Sequence, residues 1–165
     1  MQGDAAAGVT QICQGLAVQE VVGPKMGRAY FLALLAEASG QAGQPEAGLT
    51  VLADACMLVA ETEARWWEAE LYRLQGGLLL QRSRADVGRA EACFQQALDV
   101  AQCQQAKALE LRAALSLARL WQGIVKRAAA RQLLTEIYGW FTEGFDTVDL
   151  REAKALLEEL GVEEL

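Results

Sequence analysis

The sequence predicts an all-α fold of antiparallel helical hairpins. Three observations carry the prediction: a helix-forming composition, the scarcity of strand-like alternation, and a small residue that returns about every 40 positions. Of 165 residues, 53% are hydrophobic and only 2 are proline, and the chain is rich in Ala, Leu, Glu, Gln and Arg, which favour helix. A chain of this length holds one compact domain with a full core.

The recurrence is the more specific signal. Gly8, Gly48, Ala90 and Ala130 stand in equivalent apolar surroundings at spacings of 40, 42 and 40. Seven residues after each come Gly15, Ala55, Ala97 and Ile137, two turns further along the same helix face. An independent series, Ala36, Gly76 and Ala118, repeats at 40 and 42 and marks the other helix of each hairpin. Small residues are needed because helices that cross at about 8 Å leave room only for Gly or Ala at the crossing. Larger side chains fill the flanks: Leu32 and Leu35 precede Ala36, Tyr72, Leu74 and Leu79 surround Gly76, and Leu115, Leu117 and Trp121 surround Ala118. The companion helices carry Leu49 with Leu52, Phe94 with Leu98, and Leu133 with Leu134, which keeps one stripe apolar.

Helices are therefore expected at 5–22, 25–41, 45–63, 66–82, 86–103, 106–122, 126–141 and 148–160. Gly43 to Glu46 breaks the first hairpin, with Pro45 at a helix start, where its missing N–H is harmless. Ser83 to Asp86 makes the second break and offers capping side chains to the helix that follows. Gly123-Ile124-Val125-Lys126 makes a weaker third. In the last helix Ala153, Leu156, Leu157 and Leu160 form an apolar stripe, Asp146 or Thr147 can cap its start, and Asp149, Glu152, Glu158 and Glu159 lie on other faces.

The small-residue pattern resembles the tetratricopeptide repeat, stretched to about 40 residues. Over residues 8 to 160 the chain is similar to the C-terminal repeat region of bacterial signalling proteins that join a class III adenylate/guanylate cyclase domain to a signal-transduction ATPase domain. The similarity rests on RAYFLALLAEASGQAGQPEAGL, RWWEAELYRLQGGLLL, AEACFQQALDVA, LELRAALSLARLW and IYGWFTEGFDTVDLREAKALLEEL. It implies a right-handed superhelix and an interaction array in a bacterial signal-transduction regulator. The single domain, residues 1–165, then divides into a half repeat at 5–22, repeats at 25–63, 66–103 and 106–141, and a capping helix at 148–160. Neither the cyclase nor the ATPase domain lies in this sequence, so the resemblance implies no activity. Similar proteins carry a glycine where this chain has Val125, which points to a rebuilt third turn. The array also opens halfway through a repeat, as a fragment or a free-standing relative would. The unpaired face near Val9, Ile12 and Leu16 then needs cover, and a homodimer through that end is one way to supply it.

Several chemistries are disfavoured. The sequence has no histidine, which removes the commonest general base and any HExxH zinc site. It has no GxxxxGK loop, GxGxxG turn or EF-hand loop, so no cofactor, metal or catalytic residue is assigned. Cys13, Cys56, Cys93 and Cys103 form no CxxC pair and read as reduced structural thiols. No apolar run approaches the roughly 20 residues of a membrane span, and no leader opens the chain, which reads as cytoplasmic. Net charge is −7, concentrated in residues 143 to 165 with eight acidic and two basic side chains; nucleic acid is not expected as a partner. Residues 105 to 135 hold Lys107, Arg112, Arg119, Lys126, Arg127 and Arg131 against the single acid Glu110, a basic strip that the acidic end of the chain partly offsets.

In a stack of hairpins the first helix of each pair lines the concave side. Counting from its small-residue marks places Glu37, Gln41, Glu70, Arg73, Gln81, Arg112, Arg119 and Gln122 there, a groove suited to a protein segment with acidic groups, against the plainer reading of solvated helix faces. Trp66 and Trp67 cannot face the same way, so one packs under the preceding hairpin and the other is partly exposed. Tyr138, Trp140 and Phe141 read as a hydrophobic plug under the last helix. Carboxylate pairs such as Glu61 with Glu63, or Glu158 with Glu159, read as solvated. The expected function is a non-catalytic protein-interaction module. The alternatives are a structural or self-associating array with no peptide ligand and, third, a small-molecule-sensing or enzymatic domain, whose sign is a deep pocket of converging polar groups.

Overall fold

The structure is a computed structural model and describes residues 2–22, 27–123 and 126–161. Among these residues there are eight α-helices and no strand: α1 (Gln2–Val22), α2 (Arg28–Gln41), α3 (Pro45–Thr62), α4 (Glu68–Arg82), α5 (Val87–Cys103), α6 (Lys107–Gly123), α7 (Arg127–Tyr138) and α8 (Val148–Gly161). The all-α class is as expected, and Pro45 occupies the first turn of α3. The α2–α3 connection closes through a left-handed Gly43 at φ 75°. The Gln44 amide donates to the Ser39 carbonyl at 2.9 Å, and the Gly43 amide to the Gly40 carbonyl at 2.9 Å. The α5–α6 connection repeats this closure with Gln105 at φ 55° and the Ala106 amide on the Ala101 carbonyl at 2.9 Å.

Helix ends depart from the sequence expectation at three places. Ser83 Oγ accepts from the Ala85 amide at 3.1 Å and tightens residues 84–86 into a 3₁₀ turn, so α5 begins at Val87. Asp86 does not cap α5. Its carboxylate is taken by Arg82 at 2.7 Å and by Arg89 at 3.3 Å. Arg65–Trp67 form a second 3₁₀ turn before α4, and α7 stops at Tyr138, where the Trp140 and Phe141 amides turn back onto the Ile137 and Tyr138 carbonyls. The expected start of the second helix at 25 and the turn at Val125 lie outside the described residues.

Each helix packs against the next in the chain, and α2 with α4, α4 with α6, and α6 with α8 are also in contact. Two apolar clusters fill the interior. One gathers Leu32, Ala36, Leu52, Ala55, Leu71 and Leu74 from α2, α3 and α4, together with Leu16 of α1. The other runs from Leu79 through Phe94, Leu111, Leu117 and Leu134 to Leu156 of α8. No helix among the described residues is long and apolar enough to cross a membrane.

The small residues sit at the crossings. Ala36, Ala55, Ala90, Ala97, Ala118 and Ala130 have 0% exposure. A Cβ added to Gly48 would lie 2.9 Å from the Ala36 carbonyl oxygen, and one added to Gly76 would lie 2.6 Å from the Phe94 ring. Gly8 and Gly15 are exceptions, since a Cβ at either meets nothing within 4 Å.

Two glycines in adjacent helices should respond oppositely to the same substitution. Gly48→Ala forces backbone atoms apart and should lower stability by about 1–3 kcal/mol. Gly77→Ala, whose new methyl meets nothing within 4 Å, should raise it by up to about 1 kcal/mol through helix propensity alone. Urea denaturation of both variants checks the pair.

Candidate functional site

The residues assigned to the concave side fall into three groups. Glu70, Arg73 and Arg112 form one cluster between α4 and α6. Glu70 is 3% exposed, and it accepts from Arg73 Nε at 2.9 Å and from Arg73 Nη2 at 2.8 Å. Arg112 Nη1 lies 3.1 Å from the same carboxylate, and Arg112 Nε lies 3.8 Å from Asp149 of α8. Burial by itself would lower the Arg73 pKa. The hydrogen bond and charge of Glu70 outweigh it, with Glu37 and Asp149 adding to them, and the net shift is upward. Arg119 and Gln122 form the second group, in the seam with α8. Arg119 Nη2 donates to Glu152 at 2.7 Å, and Gln122 Nε2 donates to Glu159 at 3.4 Å. Glu37, Gln41 and Gln81 remain. Glu37 and Gln41 lie on α2, and the Gln81 amide lies over Gly40.

The basic strip of residues 105 to 135 is thus largely consumed inside the chain. Lys107 donates to the buried Glu110 at 2.7 Å, Lys126 to Glu91 at 2.6 Å, and Arg127 to the Glu159 carbonyl. The acidic face of α8, with Asp149, Glu152 and Glu159, supplies the offset that the charge distribution foretold. The arrangement pins α4, α6 and α8 in one lateral register, and the α6 arginines already hold carboxylates.

Glu91 joins three elements. It accepts from Lys126 and from the Trp121 indole N–H, each at 2.6 Å, while Lys126 stands 5.6 Å over the Trp121 ring. The Lys126 hydrogen bond, then that of Trp121, hold the Glu91 carboxyl below the usual range. A second polar spot lies at the α5–α6 turn, where Gln102, Gln105, Lys107, Glu110 and Trp140 line an open cleft. Its one buried acid, Glu110, is fully occupied by Lys107 and by Gln102 at 3.3 Å.

Apolar surface collects at the other end. Ile12, Gly15 and Leu16 of α1 and Phe31 and Leu34 of α2 line a groove of about 480 Å³. Leu16 is buried and Val9 packs on the core, so the open surface is centred on Gly15, Ile12 and Phe31 and not on the Val9–Leu16 face predicted from sequence. Phe31 is 43% exposed and meets Tyr30 edge-on at 5.4 Å; Tyr30 in turn stacks on Trp66 at 6.1 Å. Trp66 is 51% exposed while Trp67 packs against the interior, the division expected of two adjacent tryptophans. The expected plug is only partly formed. Tyr138 and Phe141 pack on the core, whereas Trp140 is 58% exposed beneath Lys107. Sequence reasoning missed Phe31 and Tyr30 as surface aromatics, although the Tyr-Phe pair at a helix start was visible. The four cysteines are free thiols, and burial raises the pKa of Cys56 and Cys93. Among the described residues no three His, Cys, Asp or Glu side chains converge to hold a metal.

Two measurements follow from these contacts. Arg112→Ala leaves Glu70 with one cation in a buried place and should cost about 2–3 kcal/mol, whereas the exposed Arg119→Ala should cost at most about 1 kcal/mol; thermal melts rank them. For Glu91, a lowered native pKa means that its stabilising contribution is full above the ordinary carboxylate range and is lost as pH falls through the native value. Acidification should therefore shift the Trp121 indole resonance in NMR spectra, and Glu91→Gln should remove that pH dependence.

Comparison with protein-family models gives no match for this chain, and comparison with curated proteins gives none either.

Proposed function

We propose that the chain is a non-catalytic protein–protein interaction module, a tetratricopeptide-like right-handed superhelix related to the repeat region of bacterial cyclase–ATPase regulators and working in the cytoplasm. The observation that carries this reading is the lateral succession of α2, α4, α6 and α8, each one hairpin from the last, with a fully buried or close-packed small residue at Ala36, Gly76 and Ala118. Hairpins stacked in this way expose long helical faces and end grooves suited to peptides and helices. Exposed aromatics at Tyr30, Phe31 and Trp66 add the side chains that most often anchor protein interfaces.

The concave arginines are the weaker part of the proposal. With Arg112 and Arg119 already paired inside the chain, an acidic partner would have to displace existing contacts. That same observation favours the second reading, a structural or self-associating array in which the charges fix register and recognise nothing.

Selection from a displayed peptide library against the full chain separates the two. The interaction-module reading expects convergence on one sequence class that binds with a Kd of about 1–100 µM. Failure to converge, together with concentration-dependent self-association in sedimentation, would overturn it in favour of the second reading.

A further inference from the structure

The groove between α1 and α2 is the next member of a series that the chain fills twice over. Advancing its lining residues by 40 positions takes Ile12 to Leu52, Gly15 to Ala55, Phe31 to Leu71 and Leu34 to Leu74. The first pair of counterparts belongs to α3 and the second to α4. Leu52, Ala55, Leu71 and Leu74 have 1%, 0%, 0% and 7% exposure. They are covered in one cluster with Leu32, Ala33, Leu35 and Ala36 of α2, which contacts both α3 and α4. One hairpin further on, α4 stands in the same relation to α5 and α6, where its Gly76 meets the Phe94 ring. In the first groove the same positions are open, with Phe31 43% exposed, Gly15 exposed and space beyond its Cα.

On the reading of the chain as an interaction module, we propose that this groove binds a helix from a different protein. That helix would present the face α2 presents to its own neighbours: Leu and Ala alternating at Leu32, Ala33, Leu35 and Ala36 spacing, with no charge on that face. The charge pattern supports the choice. The chain carries net charge −7, yet no charged residue lies between Asp4 and Glu20, so an ionic face would find no partner along α1. Apolar contact supplies the affinity, and the absence of a side chain on Gly15 permits the close crossing that Ala55 and Ala97 permit elsewhere. Trp66, stacked on Tyr30 next to Phe31, extends the surface at one end of the groove.

The probe is a synthetic peptide with the sequence of residues 28–43, titrated into the full chain and followed by calorimetry. A Kd of about 100 µM or tighter is expected, with no binding by the same peptide carrying Asp at the positions of Leu32 and Leu35. Gly15→Glu should weaken binding about tenfold or more while leaving the melting temperature unchanged or raised, because nothing lies within 4 Å of the added Cβ. Phe31→Glu, on the opposite wall, should do the same to binding. The inference is overturned if the peptide does not bind, or if it binds wild type and Gly15→Glu equally. It is also overturned if the chain sediments as a dimer that Gly15→Glu disperses, since a second copy would then occupy the groove. Library-selected ligands that bind Gly15→Glu normally would leave the interaction-module reading standing and remove only this site.

Discussion

The closest approach in the molecule is between α2 and α3, where a single methyl group on Gly48 would come within 2.9 Å of a backbone carbonyl of Ala36. That separation, and its counterpart between Gly76 and the Phe94 ring, sets the distance at which the hairpins pack. Once the axes are that close, the flanking leucines are sealed. Leu52, Leu71, Leu79, Leu111, Leu117 and Leu134 are the largest fully buried side chains. Removing any of them leaves a cavity that the surrounding helices cannot close, because their backbones are already in contact.

Apolar packing of this kind does not by itself choose how far one helix slides along another. The ion pairs make that choice. Glu70 on α4 takes Arg73 from its own helix and Arg112 from α6, and Arg112 reaches Asp149 on α8. Three helices distant in sequence share one charge cluster, and a slip of one turn, about 5.4 Å, would break every contact in it. Buried ion pairs contribute little net stability once desolvation is counted, yet leaving one partner alone is costly, which makes them effective at rejecting wrong registers. Among the described residues no buried side-chain nitrogen or oxygen lacks a hydrogen-bond partner.

The two ends differ in kind. The outward faces of α8 carry Arg151, Lys154, Glu158 and Glu159, all exposed, while its inward stripe of Leu150, Ala153, Leu156 and Leu160 is buried. At the other end α1 has an uncharged outer surface, with Val18 64% exposed, and shares an apolar groove with α2. A polar surface needs nothing further, whereas an apolar groove gains free energy from any helix that fits it.

The amino-acid sequence alone determined the helices, their order and the stripes they bury. A 3.6-residue period and a 40-residue repeat are local records of which face turns inward, and Gly43, Pro45 and the helix-forming stretches mark ends that chemistry fixes within a few residues. It also placed Arg112 and Arg119 on one face of α6 and foretold that the acidic end of the chain would offset them. Only the tertiary structure decided which carboxylates they meet, that Asp86 serves Arg82 and not the start of α5, and that Phe31 stands open while Leu71 is covered. The reason is physical. Periodicity fixes the direction of a side chain around its own helix axis, but a partner 30 or 40 residues away is fixed by the offset between axes, and that offset exists only after the small residues have let the helices touch.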